Sequence, residues 1–215
     1  MFDLDQTIKD RHSTRKFLSK PVSRALLDES LALAQHAPSN SNIQPWRLVF
    51  AEGSRRDRLQ AALLKQAKQQ PNRTQLPPNF QHYRQELGEQ VYGAMGIARD
   101  DKVNRQLAVL HNYEFFGAPL VGIVCLHHDL GAADALSVGM YLQTLVLCLT
   151  ARGISSCVEV SLAAYPEIIR SELNISPELA ILCGLAVGYA DPDFPANHLH
   201  ISREPVEKNV SFLND

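Results

Sequence analysis

The sequence predicts an α+β fold with a mixed, mainly antiparallel sheet flanked by helices. Helical patterns come first and strand patterns are scattered among them, so the chain does not repeat strict β-α-β units. No G-x-G-x-x-G turn follows a strand, which argues against a Rossmann nucleotide site. A length of 215 residues with 45% hydrophobic residues fits one large domain or two small ones. We predict one domain over residues 1–215.

The first half of the chain predicts three helices and one strand. Ser23 is a typical N-cap, and Leu27, Leu31 and Ala34 recur on one face of the helix that follows it. Pro38 ends this helix, and bulky, β-branched residues after the next proline predict a strand. The predicted elements are a helix over Asp3–Asp10, a helix over Ser23–Ala37, a strand over Trp46–Glu52 and a helix over Arg55–Gln70.

The second half alternates helices and strands. The segment Ala133–Ala151 is apolar nearly all round, so we expect a central helix, in the core or at a subunit interface. Gly184 and Gly188 interrupt the last strand, and glycines inside a strand often mark a place where another group passes close to the backbone. The predicted elements are helices over Asp101–Phe116, Ala133–Ala151 and Pro166–Leu173, and strands over Pro119–Leu126, Ile154–Val160 and Leu179–Ala190.

Two segments have no clear periodicity. Residues 71–101 combine Pro, Asn and aromatic residues, and form either a mobile lid over a site or a surface excursion without a part in catalysis. Residues 190–215 are Pro-rich and cannot make a core of their own, so they are either disordered or laid over another surface. Their apolar side chains favour the second alternative, with a partner subunit as the host: Phe194, Leu199, Ile201, Val210 and Phe212.

The composition argues against several classes of protein. The net charge is −2 at pH 7, so nothing points to nucleic acid or to an anionic membrane surface. The polar N-terminus has no signal-peptide core, and no apolar run approaches the ~20 residues of a membrane span, so we expect a cytoplasmic protein. The cysteines lie in apolar stretches, as buried thiols do, no Cys–His cluster indicates zinc, and His127-His128 is expected to be solvated.

The densest functional pattern is Arg11-His12-Ser13-Thr14-Arg15. Alternate residues of an extended chain point the same way, so Arg11, Ser13 and Arg15 project to one side. Guanidinium groups pair with phosphate oxygens in a bidentate manner, and a serine hydroxyl adds a neutral donor. The pattern therefore indicates a site for one ligand phosphate, although such a pattern in isolation is more often a solvated basic turn.

A second polar pattern is APSNSNIQPW, which covers residues 37–46. Proline restricts its own backbone and that of the residue before it, so the loop is stiff and its polar side chains are aimed in advance. Such donors and acceptors suit a planar heterocycle with carbonyls and ring nitrogens; the alternative is an Asx-rich turn that caps the next strand. Arg203, near the C-terminus, would by itself be assigned to the surface.

Taken together, these stretches resemble the nitroreductase family of flavoproteins over essentially the whole chain. The resemblance rests on RHSTRKF, on APSNSNIQPW further along, and on GLAVGYADPDFPAN with the downstream SREP. The pairing of the first two motifs at this separation is specific, whereas either motif alone is not. The end of the chain is most similar to the branch that includes nitrobenzoate reductases.

The resemblance implies an intertwined homodimer with two FMN sites at the subunit interface and a C-terminal tail that wraps the partner. It implies that one subunit holds the FMN phosphate through Arg11, His12, Ser13, Arg15 and Arg203. It implies that the other subunit reaches the flavin through Pro38, Ser39, Asn42 and Gln44. Residues 158–161 would run beside the flavin ring, where this chain has Val160 and Ser161 instead of the Glu-Gly pair of some relatives. Ile201 stands where some relatives have a lysine.

The resemblance also implies a ping-pong reaction, in which NADH or NADPH reduces the bound FMN and a nitroaromatic or quinone-like acceptor then takes its place. We expect acceptor choice to come from residues 71–101 and 112–116, with these aromatic candidates for stacking: Tyr83, Tyr92, Tyr113 and Phe116. The alternatives are an NAD(P)H:flavin or quinone reductase, a reductive dehalogenase on the same scaffold and, from another class, a non-catalytic flavin-binding domain.

Overall fold

The centre of the protein is a five-stranded sheet, seen in a computed structural model that describes residues 3–72 and 75–213. Its strands are β1 (Phe17–Leu18), β2 (Arg47–Glu52), β3 (Leu120–His127), β4 (Ser155–Glu159) and β5 (Leu179–Ala190). Their order is β1-β5-β3-β2, and β4 also pairs with β5. Every strand pair in the described residues is antiparallel, and an isolated bridge between Ser13 and Ser156 supplies the parallel part of the predicted mixed sheet.

Seven helices in the described part of the chain surround the sheet. They are α1 (Leu4–Asp10), α2 (Arg24–Ala34), α3 (Gly53–Gln69), α4 (Gln81–Ala94), α5 (Lys102–Leu110), α6 (Ala132–Ala151) and α7 (Pro166–Leu173). Asp3 and Ser23 cap α1 and α2, each accepting from a backbone N–H three residues ahead. The predicted strands and the helices α1, α2, α3, α6 and α7 are therefore confirmed, with shifts of one to a few residues at their ends.

The sheet is buried on both faces, which explains why β3 and β5 are almost continuously apolar. One face packs against α3 and α7, with Leu59, Leu63 and Ile169 fully buried. The other face packs against α2 and α6, where the Trp46 and Tyr141 rings stack with centroids 4.7 Å apart. Trp46 is thus an anchor of the second core.

The two glycines of β5 allow close approach to its backbone, as predicted. A Cβ on Gly184 would collide with the Leu162 side chain, and one on Gly188 would lie 2.9 Å from atoms of Phe17 and Pro119. These contacts bring β1 and the turn after β4 tightly onto the central strand. β1 follows residues 11–15 in the chain, and β4 pairs with Ser13 through Ser156. These contacts therefore help to fix the position of residues 11–15.

The structure differs from the prediction in two irregular segments. Residues 71–101 show no clear periodicity in the sequence, yet they contain the 14-residue helix α4. The predicted helix over 101–116 ends at Leu110, and a 3₁₀ turn follows in which Phe115 and Phe116 adopt φ of 54° and 52°. Left-handed backbone is costly for bulky residues, so a local pattern favours helix here. Complete burial of the Phe115 ring stabilises the turn instead.

Helix α6 begins one residue before the predicted Ala133. With 20 residues, it is the one helix in the described residues that is long and apolar enough to cross a membrane, so the expectation that no segment reaches that length was wrong. A core helix passes the same test, and α6 packs Tyr141, Leu145 and Leu149 into the core. Part of its apolar surface stays open, since Leu136 is 66% exposed.

The C-terminal tail divides into two parts. Residues 191–198 lie against their own chain, where Asn197 is buried and hydrogen-bonded to residues near the N-terminus. From Ile201 onwards the tail is mostly exposed, and Phe212 is 82% exposed. The prediction that the whole tail lies on another surface is therefore wrong for its first part, which is held by long-range polar contacts that no local pattern reveals.

Candidate cofactor site

A cavity of about 710 Å³ lies beside the segment that joins α1 to β1. Its wall contains every residue that the sequence assigned to the phosphate: Arg11, His12, Ser13, Arg15 and Arg203. The volume falls within the usual range for small-molecule sites. The structure thus brings the arginine-rich segment and the distant Arg203 to one place.

The segment that carries Arg11 to Arg15 is extended and attached to β4. The backbone N–H of Thr14 donates to the carbonyl of Ser156 at 3.1 Å, and the Thr14 side chain is completely buried. Because neighbouring side chains of an extended chain alternate, Ser13 and Arg15 face the opposite side and line the cavity. The predicted alternation is therefore confirmed, with the addition that the exposed His12 also reaches the cavity wall.

Asn197 holds this segment in place, and sequence reasoning missed it. The backbone N–H of Arg15 donates to Asn197 Oδ1 at 2.7 Å, and Asn197 Nδ2 donates to the carbonyls of Lys16 and Asp191 at 2.9 and 3.0 Å. The side chain is only 5% exposed. A single asparagine in a proline-rich stretch carries no spacing signal for contacts with residues 15 and 16.

The cavity is cationic. Lys9, Arg11, Arg15 and Arg203 line it, and its described lining includes no carboxylate. Arg15 Nη1 donates to the Ser13 carbonyl at 3.0 Å, and Arg203 Nη1 donates to the carbonyls of Ile201 and Ser202. These bonds orient the guanidinium groups and leave further N–H donors for an anion. Lys9 was not predicted to line the cavity. It adds a positive charge to a wall that has the neutral Ile201 where some relatives have a lysine.

A second cavity, of about 490 Å³, adjoins the first at Arg15. Phe17, Phe116 and Phe194 give it apolar walls, and His111 and Glu114 add a polar pair whose Nδ1 and Oε2 atoms are 2.6 Å apart. Two further lining residues, Arg56 and Gln60, contain buried atoms, Nε and Oε1, without a hydrogen-bond partner in the described residues. Cationic side chains beside a partly aromatic, partly polar cavity fit a ligand with an anionic end and a flat polar ring.

The predicted loop at residues 37–46 does not reach either cavity of its own chain. Ser41, Asn42 and Gln44 have φ of 48°, 56° and 47°, and the Gln44 N–H donates to Ser39 Oγ at 3.0 Å. Asn42 and Gln44 are exposed, and the left-handed backbone of Gln44 departs from the extended backbone usual before a proline. Pro38, Ser39, Asn42 and Gln44 line neither of the two cavities. Within a single chain, the loop at residues 37–46 and the residues predicted to bind the phosphate therefore do not share a cavity.

The turn after β4 contains Val160 and Ser161. Val160 is 71% exposed, whereas Ser161 Oγ is buried without a hydrogen-bond partner in the described residues. Neither residue lines the two cavities, so one chain does not bring them together with Arg11 and Arg203. The Ser161 hydroxyl, which has no partner in the described residues, belongs to the segment that the family resemblance places beside the flavin ring.

The aromatic candidates for stacking occupy different environments. Tyr113 is in the core against Tyr165, and Tyr83 donates its hydroxyl to Glu204 at 2.9 Å. Tyr92 lies under the Arg105 guanidinium. Phe116 alone of the four lines the cavity that adjoins Arg15. It is therefore the candidate that the structure supports.

The four cysteines are free, and three of them are buried, as predicted. Burial, aided by the nearby Glu159, raises the pKa of the Cys157 thiol to about 12, although Arg15, Ser13 and Arg11 act in the opposite direction. Burial likewise raises the pKa of Cys125 to about 11. Both thiols are thus protonated at neutral pH, and neither serves as a nucleophile.

Glu159, at the end of β4, is a buried acid that sequence reasoning missed. Its side chain is 2% exposed, and neither carboxyl oxygen has a hydrogen-bond partner in the described residues. Burial raises its pKa well above the usual value of about 4.5. The folded chain therefore retains a proton that the unfolded chain loses above that value, so stability falls as the pH rises towards the pKa of the folded state.

We expect Glu159→Gln to stabilise the protein by about 1–3 kcal/mol at pH 8 and to have little effect near pH 4. The amide keeps the shape and cannot ionise, so it removes the pH-dependent loss. Urea denaturation across this pH range measures the difference, with Glu207→Gln on the exposed tail as the control. Parallel pH profiles for wild type and Glu159→Gln would contradict a buried neutral acid.

Comparisons with known proteins place the chain among similar sequences and structures. The model of the nitroreductase family matches residues 8–189. The chain is similar to a 4-nitrobenzoate reductase from Pseudomonas putida, with 34% identity over 98% of this chain and 96% of the relative. It is also similar to a nitrobenzene nitroreductase from Ectopseudomonas oleovorans, with 31% identity over 99% and 97%. Among solved structures, the FMN-dependent nitroreductase NfnB from Mycobacterium smegmatis, in complex with NADPH, has a TM-score of 0.90 at 34% identity over 99% of this chain and 100% of that one.

Proposed function

The chain belongs to the nitroreductase family, and on this premise we propose that it is an FMN-dependent oxidoreductase that uses NAD(P)H to reduce nitroaromatic or similarly electron-poor acceptors. The observation that carries the proposal is the cationic cavity, in which Arg11, Ser13, Arg15 and Arg203 converge without an opposing carboxylate. Such a donor set suits the geometry and charge of a phosphate dianion.

The residues fit FMN by the chemistry of their donors. Arg11, Arg15 and Arg203 would hold the phosphate, with the Ser13 hydroxyl as a neutral donor, Lys9 as an added charge and His12 on the same wall. The adjoining cavity at Phe116 and His111, with its orphaned polar atoms, suits a flat ring that carries carbonyls and nitrogens. FMN supplies the redox chemistry, accepting a hydride from NAD(P)H and delivering two electrons to the acceptor.

The overall reaction balances without any other cofactor. A nitro compound, NAD(P)H and one proton give the nitroso compound, NAD(P)⁺ and water, and a second equivalent of NAD(P)H and a proton gives the hydroxylamine. The chain's task is therefore to bind and orient the flavin and to admit two flat partners in turn. This agrees with a described lining that offers no Cys nucleophile and no pair of carboxylates.

We also propose that the working unit is a homodimer. The exposed loop with Ser39, Asn42 and Gln44 has no cavity to serve in its own chain, and a partner's site gives it one. The open apolar face of α6 at Leu136, beside a Gly139 with no atom within 4 Å of its Cβ position, is suited to close packing with a second copy.

Two further assignments follow from the same arrangement. Leu87 of α4 lines the cationic cavity, and Tyr83 of α4 bonds to Glu204 of the tail, so we propose that residues 71–101 act as a cover for the cofactor. The buried free thiols suit a reducing compartment, and we propose the cytoplasm as the location.

The tail offers a test of the dimer. Deleting residues 199–215 removes Leu199, Ile201 and Arg203 from the cavity wall while keeping the Asn197 contacts. We expect this variant to lose FMN and to become monomeric in the same preparation, as measured by flavin absorbance and light scattering. The control deletes only 209–215, which keeps Arg203 and should weaken the dimer more than FMN binding. A yellow dimer after the larger deletion would refute the wrapping tail.

The enzyme activity is tested on purified protein. We expect a yellow protein that releases FMN on denaturation, is bleached anaerobically by NADH or NADPH, and is reoxidised by 4-nitrobenzoate or nitrobenzene. Quinones and free flavins in the same assay separate the reductase alternatives, and halide release separates a dehalogenase. Bleaching by neither nicotinamide would favour a flavin-binding module, and a colourless protein would eliminate the flavoenzyme.

A further inference from the structure

Three side chains that ligate metals converge on the turn between β3 and α6. His127, His128 and Asp129 each offer one ligand atom, and these atoms lie within 4.8 Å of one another. The backbone N–H of Leu130 donates to the His127 carbonyl at 3.0 Å and closes the turn. None of the three residues lines the cofactor cavities, so the proposed flavin chemistry leaves the cluster unexplained.

The hydrogen bonds of His128 fix which of its ring nitrogens carries the proton. Nδ1 lies 2.8 Å from the carbonyl of Glu178, and since a carbonyl only accepts, Nδ1 is the donor. In the neutral ring Nε2 then has a free lone pair, and it faces Asp129 Oδ1 at 3.1 Å. Two acceptors at that distance repel each other unless a positive charge lies between them. A donor bond to a backbone carbonyl is also the usual support of a metal-bound histidine.

His127 presents a lone pair on the same side. The backbone N–H of Asp129 donates to His127 Nδ1 at 3.3 Å, so that nitrogen is an acceptor. It lies 3.6 Å from Asp129 Oδ2. A hydrogen bond of this length is weak, and a cation can replace it. Three acceptors therefore surround one point on the surface.

We propose that His127, His128 and Asp129 form a surface site for one divalent transition-metal ion, with Zn²⁺ as the representative. Imidazole and carboxylate ligands suit Zn²⁺, Ni²⁺ and Cu²⁺, and three protein ligands leave a position for water. Ligand atoms around tetrahedral Zn²⁺ lie about 3.4 Å apart, so the cluster has to contract. His128 and Asp129 are exposed and His127 is half-buried, which permits the required rotations.

The site is remote from the flavin cavities. His127 pairs with Leu179 at the start of β5, whereas Ser156, the partner of Ser13, pairs with Val187. The eight intervening steps along β5 correspond to roughly 26 Å. Metal at this turn therefore stabilises the entry into α6 and leaves the chemistry at the flavin unaffected.

Calorimetric titration of the flavin-loaded, tag-free protein with ZnCl₂ tests the site. We expect one Zn²⁺ per chain, at least tenfold weaker binding in both His128→Asn and Asp129→Asn, and unchanged binding in His36→Asn, another exposed histidine. Zn²⁺ should also raise the Tm of the wild type and not that of the two variants, while the flavin spectrum stays unchanged.

Three results would overturn the proposal. The first is the absence of saturable binding to correctly folded, yellow protein. The second is equal affinity in wild type, His128→Asn and Asp129→Asn, which would move the ion to other ligands such as the half-buried Cys148. The third is a change of the flavin spectrum at one equivalent of Zn²⁺, which would place the ion at the cofactor. The FMN assignment is tested separately, by flavin release and by bleaching with NADH or NADPH.

Discussion

Arg11→Ala and Arg203→Ala are each expected to weaken FMN binding about 10- to 150-fold, the equivalent of about 1.5–3 kcal/mol for a charge-assisted hydrogen bond. The two guanidinium groups come from opposite ends of the chain and line one cavity with no carboxylate in its described lining. An uncharged replacement thus removes one of the four positive charges that line the cavity and its share of the attraction for the phosphate. Fluorescence titration of the flavin-free protein with FMN measures each loss.

Two controls separate a phosphate contact from general damage. Arg58→Ala removes an exposed arginine on α3, away from the cavities, and should leave FMN affinity unchanged. Arg11→Lys keeps the charge and loses the planar pair of donors, so it should fall between wild type and Arg11→Ala. If Arg11→Ala and Arg203→Ala retain full flavin occupancy at low FMN concentration, the phosphate lies elsewhere.

Asn197→Ala is expected to lower the free energy of unfolding by about 3 kcal/mol and the Tm by about 6–12 °C. The substitution removes three hydrogen bonds at once and leaves the Arg15 N–H without its partner, whereas the carbonyls of Lys16 and Asp191 keep only their bonds from backbone N–H groups. Since the same amide orients the backbone of Arg15, FMN affinity should fall as well. Thermal unfolding of the flavin-free protein isolates the first effect from the second.

A nearly isosteric variant tests the reason for this loss. Asn197→Asp keeps the acceptor for the Arg15 N–H but sets a carboxylate against the two carbonyl oxygens, so it should destabilise at least as much as Asn197→Ala. Asn209→Ala, in the exposed part of the tail, should have little effect. A stable Asn197→Asp protein would show that shape, and not the three hydrogen bonds, matters at this position.

Local rules predicted the parts of the site that depend on local geometry. The alternation of Ser13, Thr14 and Arg15 follows from an extended backbone, and it holds in the structure. The stiffness of residues 37–46 stays a prediction, since Ser41, Asn42 and Gln44 take a left-handed backbone that the neighbouring prolines do not dictate. That Arg203 belongs with Arg11 came from resemblance alone, and the cavity now confirms that they lie together.

The features that the sequence did not reveal depend on long-range contacts. Asn197 meets Arg15 across 182 residues, and no pattern of spacing marks such a pair. Phe115 and Phe116 take a left-handed backbone against their own preference, because burial in the core outweighs the local cost. Glu159 lies in an apolar strand pattern, which predicts an outward-facing acid, and instead it points into the protein. In each case tertiary packing overrides the local signal.

The cationic cavity draws one wall from residues 8–15 and another from residues 199–203. On the ribosome, the first wall exists long before the second, and the exit tunnel still encloses the last residues when most of the sheet can already pair. On the proposed assignment, the emerging polypeptide has its full set of phosphate ligands only after residues 199–203 have left the exit tunnel. A chain interrupted before Arg203 would then bind FMN more weakly, even where its sheet has formed.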